Sequence, residues 1–276
     1  MAYPFVEIDV FTARPLMGNP VAVVLEAKTL ETEAMARIAN WTNFSETTFV
    51  TGADPDGYDV RIFTPRGELP FAGHPSVGTA FALRSRGALS KEQVTQRCAA
   101  GPVPIRFIDH SVFVRVPTPR ITEVSTAVGD IAQALRASSL EVPLRINVGP
   151  VWVTARVGSL AELASLDPDG EALTPLSREL NAVGITVYAV ENGRVEVRSF
   201  APAEGIAEDP VCGSGNACVA AHLRKTGALD DLGAVYEAGQ GRALGRDGRV
   251  QVRVEGDGIW IGGECTTVVA GELSPD

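Results

Sequence analysis

The feature that most restricts how this chain can fold is an internal repeat. The segment Pro70-Phe-Ala-Gly-His-Pro-Ser-Val-Gly-Thr-Ala-Phe-Ala-Leu-Arg-Ser-Arg-Gly-Ala-Leu89 aligns with Pro210-Val-Cys-Gly-Ser-Gly-Asn-Ala-Cys-Val-Ala-Ala-His-Leu-Arg-Lys-Thr-Gly-Ala-Leu229 at a constant offset of 140, with eight of twenty positions identical. Just upstream, Val60-Arg-Ile-Phe-Thr-Pro65 resembles Val197-Arg-Ser-Phe-Ala-Pro202 at an offset of 137. Earlier still, Gly18-Asn-Pro-Val-Ala-Val23 faces Gly149-Pro-Val-Trp-Val153. Three matches in one order describe a duplicated unit, and 276 residues suit two halves of ordinary domain size.

Each half reads alike. Runs rich in Val, Ile and Thr with partial alternation predict strands at Val6 to Phe11, Val21 to Leu25, Thr47 to Val50 and Tyr58 to Thr64. The repeated segment predicts a helix that opens at Gly73-His74-Pro75, turns Val77, Ala80, Phe81 and Leu83 inward, and stops at Gly87. Its copy opens at Gly213-Ser214-Gly215-Asn216, buries Val219, Ala220 and Leu223, and stops at Gly227. An apolar helix among many strands predicts an α+β fold: two pseudo-symmetric half-domains, each a curved, mainly antiparallel sheet around a central helix, with a cleft between them. The Pro117-Thr118-Pro119-Arg120 stretch interrupts a strand-like Val112 to Val116 and marks the seam. The expected division is therefore residues 1–118 and 119–262. A terminal strand, within Ile259 to Val269, is expected to return to the first half so that residues 263–276 complete it.

Charge and cysteine usage narrow the functional classes. A net charge of −10 with scattered basic residues repels phosphate backbones, so nucleic acid is not an expected partner. The N-terminus lacks the basic-then-apolar pattern of an export signal, and no apolar run reaches the ~18 residues of a membrane span. A cytoplasmic protein with no membrane partner is the expectation. The four cysteines, Cys98, Cys212, Cys218 and Cys265, show no C-x2-C spacing, which argues against a zinc site and for reduced thiols. Cys98, Cys218 and Cys265 read as small buried residues.

Where the copies differ, candidate chemistry appears. Two glycine-rich helix starts, facing one another across a cleft, would offer free N–H groups to an anion, although one such turn alone is an ordinary helix start. At the first start Ala72 precedes Gly73 and His74; at the second Cys212 precedes Gly213 and Ser214. Asp209 stands opposite Leu69, and His74 opposite Ser214. The segment Ser45-Glu46-Thr47-Thr48 carries a carboxylate that its counterpart near Gly184 to Tyr188 lacks. A glutamate at a strand mouth can be a solvated edge residue; in an apolar cleft its proton affinity would rise and it could act as a general base.

These residues carry a family resemblance. Asp9-Val-Phe-Thr with Gly18-Asn-Pro-Val-Ala-Val, Ser45-Glu-Thr-Thr-Phe49, Pro70-Phe-Ala-Gly-His-Pro-Ser-Val-Gly78 and Glu208-Asp-Pro-Val-Cys-Gly-Ser-Gly-Asn-Ala217 resemble the PhzF family of phenazine biosynthesis, whose duplicated fold is shared with diaminopimelate epimerase. The resemblance implies a homodimer that needs neither metal nor organic cofactor and moves a proton between carbons of a small carboxylate substrate. It places Glu46 at the acid/base position, with His74 and Asp209 as accompanying polar groups. Ser45, Gly73, Gly213 and Ser214 then surround the substrate and its carboxylate.

Cys212 departs from the pattern, since phenazine enzymes resemble Asp-Pro-x-Thr-Gly-Ser here. The related epimerases use a cysteine at each helix start, and Ala72 fills the other position in this chain. A two-thiol racemase is therefore not expected. A thiol at a helix N-terminus would nonetheless be favoured as thiolate, which leaves a Glu46/Cys212 epimerase as an alternative. A binding protein of the same fold, without catalysis, is a further one. A cysteine hydrolase built on Cys212 and His74 lacks a recognisable nucleophile context.

Overall fold

In the computed structural model, Met1–Arg115 with Gly262–Asp276 form one compact unit and Val116–Ile261 a second. The structure describes residues 1–124 and 127–275; Ser125, Thr126 and Asp276, within the ranges assigned from sequence, lie outside the described residues. The first unit runs β1 (Tyr3–Val10), β2 (Asn19–Val24), α1 (Thr32–Thr42), β3 (Thr47–Asp54), β4 (Gly57–Thr64), β5 (Gly67–Leu69), α2 (Gly73–Ser85), β6 (Gln93–Cys98), β7 (Gly101–Ile108) and β8 (Ser111–Arg115). The second runs β9 (Arg120–Glu123), α3 (Val128–Leu135), β10 (Leu144–Asn147), β11 (Val151–Arg156), α4 (Leu160–Ser165), α5 (Gly170–Glu179), β12 (Gly184–Glu191), β13 (Arg194–Ala201), β14 (Ile206–Asp209), α6 (Gly213–Thr226), α7 (Leu229–Leu232), β15 (Val235–Gln240) and β16 (Gly248–Glu255). Strand β17 (Gly258–Gly263) leads the chain back to the first unit, where β18 (Cys265–Leu273) closes the sequence of elements.

Pairing within each unit follows one plan. In the first, β18, β1 and β2 are antiparallel, β2 and β3 parallel, β3 and β4 antiparallel, β4 and β6 parallel, and β6, β7 and β8 antiparallel. In the second, β9, β10 and β11 are antiparallel, β11 and β12 parallel, β12 and β13 antiparallel, β13 and β15 parallel, and β15 and β16 antiparallel. The parallel steps fall at matching places, so the pseudo-symmetry read from the repeat extends to the hydrogen-bond ladder. Helix α2 packs against β1, β2, β3, β8 and β18, so the sheet curves around it. Helix α6 packs similarly against β10, β11, β12, β13 and β16.

The two central helices are not amphipathic. Every residue from Gly73 to Ala80, and every residue from Gly215 to Leu223, is buried. A helix enclosed by a curved sheet has no solvent face, and small residues let the strands approach closely. A Cβ at Gly78 would lie 2.5 Å from Val21 Cγ1 and 2.9 Å from Val10 Cγ2. Phe81, expected to point inward, is half-buried instead: it shares a side of α2 with Arg84 and Ser85, while Ala82 and Leu83 of the same turn are buried. The end of the chain also differs from the sequence reading: Ile259 to Val269 is not one strand, since β17 and β18 are separated at Glu264. Among the cysteines, Cys218 and Cys265 are buried while Cys98, at the end of β6, is only half-buried. All four are free thiols.

On the outer face of the first sheet, α1 covers Phe49 and Phe63 with Met35, Ile38 and Ala39. Helices α3, α4 and α5 cover the matching face of the second around Ile131, Leu163, Leu173, Ile185 and Phe200. This two-sided burial decides which way the residues of β3 point. Phe49 faces α1, whereas Thr48 bonds Thr79 of α2 at 2.8 Å. Side chains alternate along a strand, so Glu46, two residues before Thr48, is directed toward α2.

Candidate functional site

In the first unit, Glu46 immediately precedes β3 and His74 lies in the first turn of α2. Glu46 Oε2 is 3.5 Å from His74 Nε2, with the two side chains 16% and 7% exposed respectively. Ser45 hydrogen-bonds the same carboxylate. Burial pushes the Glu46 carboxyl from its ordinary 4.5 up to about 7, and the Ser45 hydroxyl only partly offsets this. At neutral pH such a group is close to half protonated, ready either to accept or to release a proton. Gly73 is buried, yet a Cβ there would meet nothing within 4 Å. The backbone at the start of α2 is thus open on that side, next to His74. Ser45, Glu46, Gly73 and His74 are brought together here. The solvated-edge reading of Glu46 is set aside by its burial.

In the second unit, Asp209, Cys212, Gly213 and Ser214 lie together where β14 leads into α6. Asp209 Oδ1 accepts the Val211 N–H at 3.1 Å, while Glu208 forms a two-pronged ion pair with Arg198. Cys212 caps α6, its Sγ accepting the Gly215 N–H at 3.2 Å and lying 3.5 Å from Ser214 Oγ. Helix-start stabilisation of the thiol is therefore present, but it loses. Burial, reinforced by the negative charge of Asp209, pushes the Cys212 thiol well above its ordinary range. The expectation of a thiolate is corrected: Cys212 is held as a thiol.

Three further residues complete this second cluster and were not singled out from the sequence. Trp152 Nε1 donates to Ser214 Oγ at 2.9 Å. Gln240 Oε1 accepts from Cys212 N at 3.1 Å and from Asn216 Nδ2 at 2.8 Å, while its Nε2 donates to the Asp209 carbonyl at 3.0 Å. A signal for Trp152 existed: by strand register it is the counterpart of Val21, so the tryptophan is a departure inside a matched segment. For Asn216 the hint was a polar residue in the apolar middle of the helix, and Gln240 carried none.

Register also explains why the copies differ at Glu46. Thr47 pairs with Phe63, and Ile185 pairs with Phe200, the repeat partner of Phe63. The position equivalent to Glu46 is therefore Gly184. A Cβ at Gly184 would come within 2.0 Å of the Phe200 carbonyl, so no side chain fits there. Only one copy can carry the carboxylate. Among the described residues, no group of three or more His, Cys, Asp or Glu is arranged to hold a metal ion.

A paired Glu and His beside an open helix start, in one copy of a duplicated fold, is a restrictive combination. The family described as phenazine biosynthesis-like protein (PhzC-PhzF) matches residues 8–271. The chain belongs to this family. It is 35% identical over 266 residues to the trans-2,3-dihydro-3-hydroxyanthranilate isomerase of Pseudomonas aeruginosa, spanning 92% of this chain and 91% of that protein. With antisense-enhancing sequence 1 of Schizosaccharomyces pombe, identity is 32% and each chain is covered to 98%. The crystal structure of a PhzF-family phenazine biosynthesis protein from Bacillus anthracis matches with a TM-score of 0.85 at 26% identity, covering 99% of each chain. The fold is accordingly of the PhzF and diaminopimelate epimerase-like type. PhzC-PhzF relatives are named isomerases or epimerases, and this member is an isomerase. No helix among the described residues is long and apolar enough to cross a membrane.

Proposed function

We propose that this PhzC-PhzF member moves a proton between carbon atoms of a small carboxylate substrate, with Glu46 as the acid/base and without metal or organic cofactor. The observation that carries the reading is the Glu46 carboxylate, enclosed 3.5 Å from His74 with its proton affinity raised to about 7. A shuttle must take a proton from one carbon and return it to another. A carboxyl whose two protonation states are equally populated near neutrality has the least bias against either step. His74 then orients or polarises the substrate, and Ser45 holds the carboxylate. The open backbone at Gly73 accepts an anionic group of the substrate through first-turn N–H groups.

In the second unit the same reading assigns Asp209, Gly213 and Ser214 to substrate binding. The Trp152 N–H occupies one side of the Ser214 hydroxyl oxygen, and Cys212 Sγ lies 3.5 Å from it on another. The reading carries a cytoplasmic homodimer with no nucleic-acid partner, supported by the charge of −10 and by the family likeness. The second reading is an epimerase in which Glu46 takes the proton and Cys212 returns one to the opposite face; the protonated state in which burial holds that thiol suits a donor and not a thiolate base.

Trans-2,3-dihydro-3-hydroxyanthranilate, named for the Pseudomonas relative, is the first substrate to offer. In D2O, proton NMR should record deuterium entering the product, and Glu46→Gln should lower the rate about 10²–10⁴-fold with the fold intact. Undiminished exchange by the Gln variant would remove Glu46 from the chemistry.

A further inference from the structure

We propose that the buried hydrogen bond between Thr48 and Thr79 is a positioning device that sets the depth of Glu46 against His74; this rests on the reading of Glu46 as the acid/base. Both threonines are fully buried, and their hydroxyls are 2.8 Å apart. Thr48 lies two residues beyond Glu46 on β3, and Thr79 five residues beyond His74 on α2. The bond therefore joins the two elements that supply the pair, one strand step and little more than one helical turn from the reacting groups.

The bond has a direction. Thr79 Oγ1 donates to the Pro75 carbonyl at 2.7 Å, which commits its single proton. Thr48 must then be the donor to Thr79 Oγ1, and its alternative acceptor, the Ala22 carbonyl, is farther away at 3.4 Å. The chain Thr48 to Thr79 to Pro75 ends in the first turn of α2, on the residue next to His74. A displacement of β3 along α2 would break it, so the strand mouth and the helix start move together or not at all.

The second copy of the duplicated unit serves as an internal control. Strand register makes Thr186 the equivalent of Thr48, and the repeat makes Val219 the equivalent of Thr79. Thr186 bonds Ser199 of the neighbouring strand at 3.0 Å, and Val219 offers no hydroxyl. The copy in which Gly184 replaces the carboxylate lacks this hydroxyl pair near the strand mouth; there β12 is tied to α6 farther along, by Tyr188 Oη and His222 Nδ1 at 2.9 Å. A strand-to-helix tie is thus common to both copies, but only the copy with Glu46 places it two residues from the carboxylate.

The test follows the Glu46 carboxyl carbon by 13C NMR in the full chain with labelled glutamate, assigned by its loss in Glu46→Gln. Of the groups that meet that carboxylate, His74 is ionisable and Ser45 supplies a hydroxyl. Wild type should titrate near 7, and Thr48→Val/Thr79→Val should titrate about one unit or more lower, a tenfold change in acid constant, as the carboxylate relaxes toward water. Thr79→Ser keeps the hydroxyl and should match wild type. If the double variant melts as a folded protein with an unchanged midpoint, the inference fails while the assignment of Glu46 stands. A wild-type midpoint in the ordinary carboxylate range would instead overturn the assignment and this inference with it. Should the double variant not fold, Thr79→Val alone decides in the same way, because Thr48 then retains the Ala22 carbonyl.

Discussion

At the residue scale, Glu46 trades stability for function. Its folded-state proton affinity lies above the unfolded value, so its contribution to stability is fully present below pH 4.5 and is lost as pH rises to about 7. The span corresponds to up to about 3 kcal/mol. Glu46→Gln should therefore be more stable than wild type at pH 8, with the advantage shrinking toward pH 4.5; urea unfolding at the two pH values measures it. The activity of the wild type should rise along an acidic limb centred near pH 7, since the carboxylate form begins the reaction, and a kcat/KM profile checks this. Cys212 obeys the opposite logic. Being buried and protonated, it should react with iodoacetamide at pH 8 far more slowly than a free thiol; rapid alkylation accompanied by lost activity would instead favour the epimerase. Glu46 was visible in the sequence as a carboxylate with no counterpart. Its raised proton affinity was not, because burial is supplied by residues distant in the chain.

At the scale of elements, the two central helices show what glycine does in different places. Gly78 permits close contact between α2 and the sheet, and Gly78→Ala, driving a methyl to 2.5 Å from Val21, should cost roughly 1–3 kcal/mol in denaturant unfolding. Gly73→Ala meets no atom within 4 Å and should leave unfolding nearly unchanged while lowering kcat/KM. Together the variants separate a packing glycine from a binding one. The helix starts and stops were legible: Gly87 and Gly227 have φ of +75° and +80°, where glycine is favoured, just past the last helical turns. The stripe of inward residues was misread at Phe81, which lies on the side where α2 reopens to solvent with Arg84 and Ser85, a change that the packing of the sheet decides and the apolar run does not show.

At the scale of the whole molecule, duplication supplied the scaffold and divergence supplied the chemistry. The copies keep the same ladder but exchange Glu46 for Gly184, His74 for Ser214 and Ala72 for Cys212. The first copy is completed by β18, whose residues Cys265 to Leu273 pair with the whole of β1. Removing residues 264–276 should strip amide protection from β1 and β2 in hydrogen exchange while β15 and β16 retain theirs; protection of β1 equal to that of the full chain would contradict this. The duplication, the α+β class, the positions of both helix starts and the residues that differ between copies could be read from the chain, because repeats, periodicity and turn glycines are local signals. Tertiary structure alone decided that Glu46 is enclosed beside His74, that Cys212 stays a thiol and that Trp152 and Gln240 support the second helix start. The reason is physical: proton affinity and hydrogen-bond partnership depend on dielectric surroundings and distance, and both are set by residues far apart along the chain.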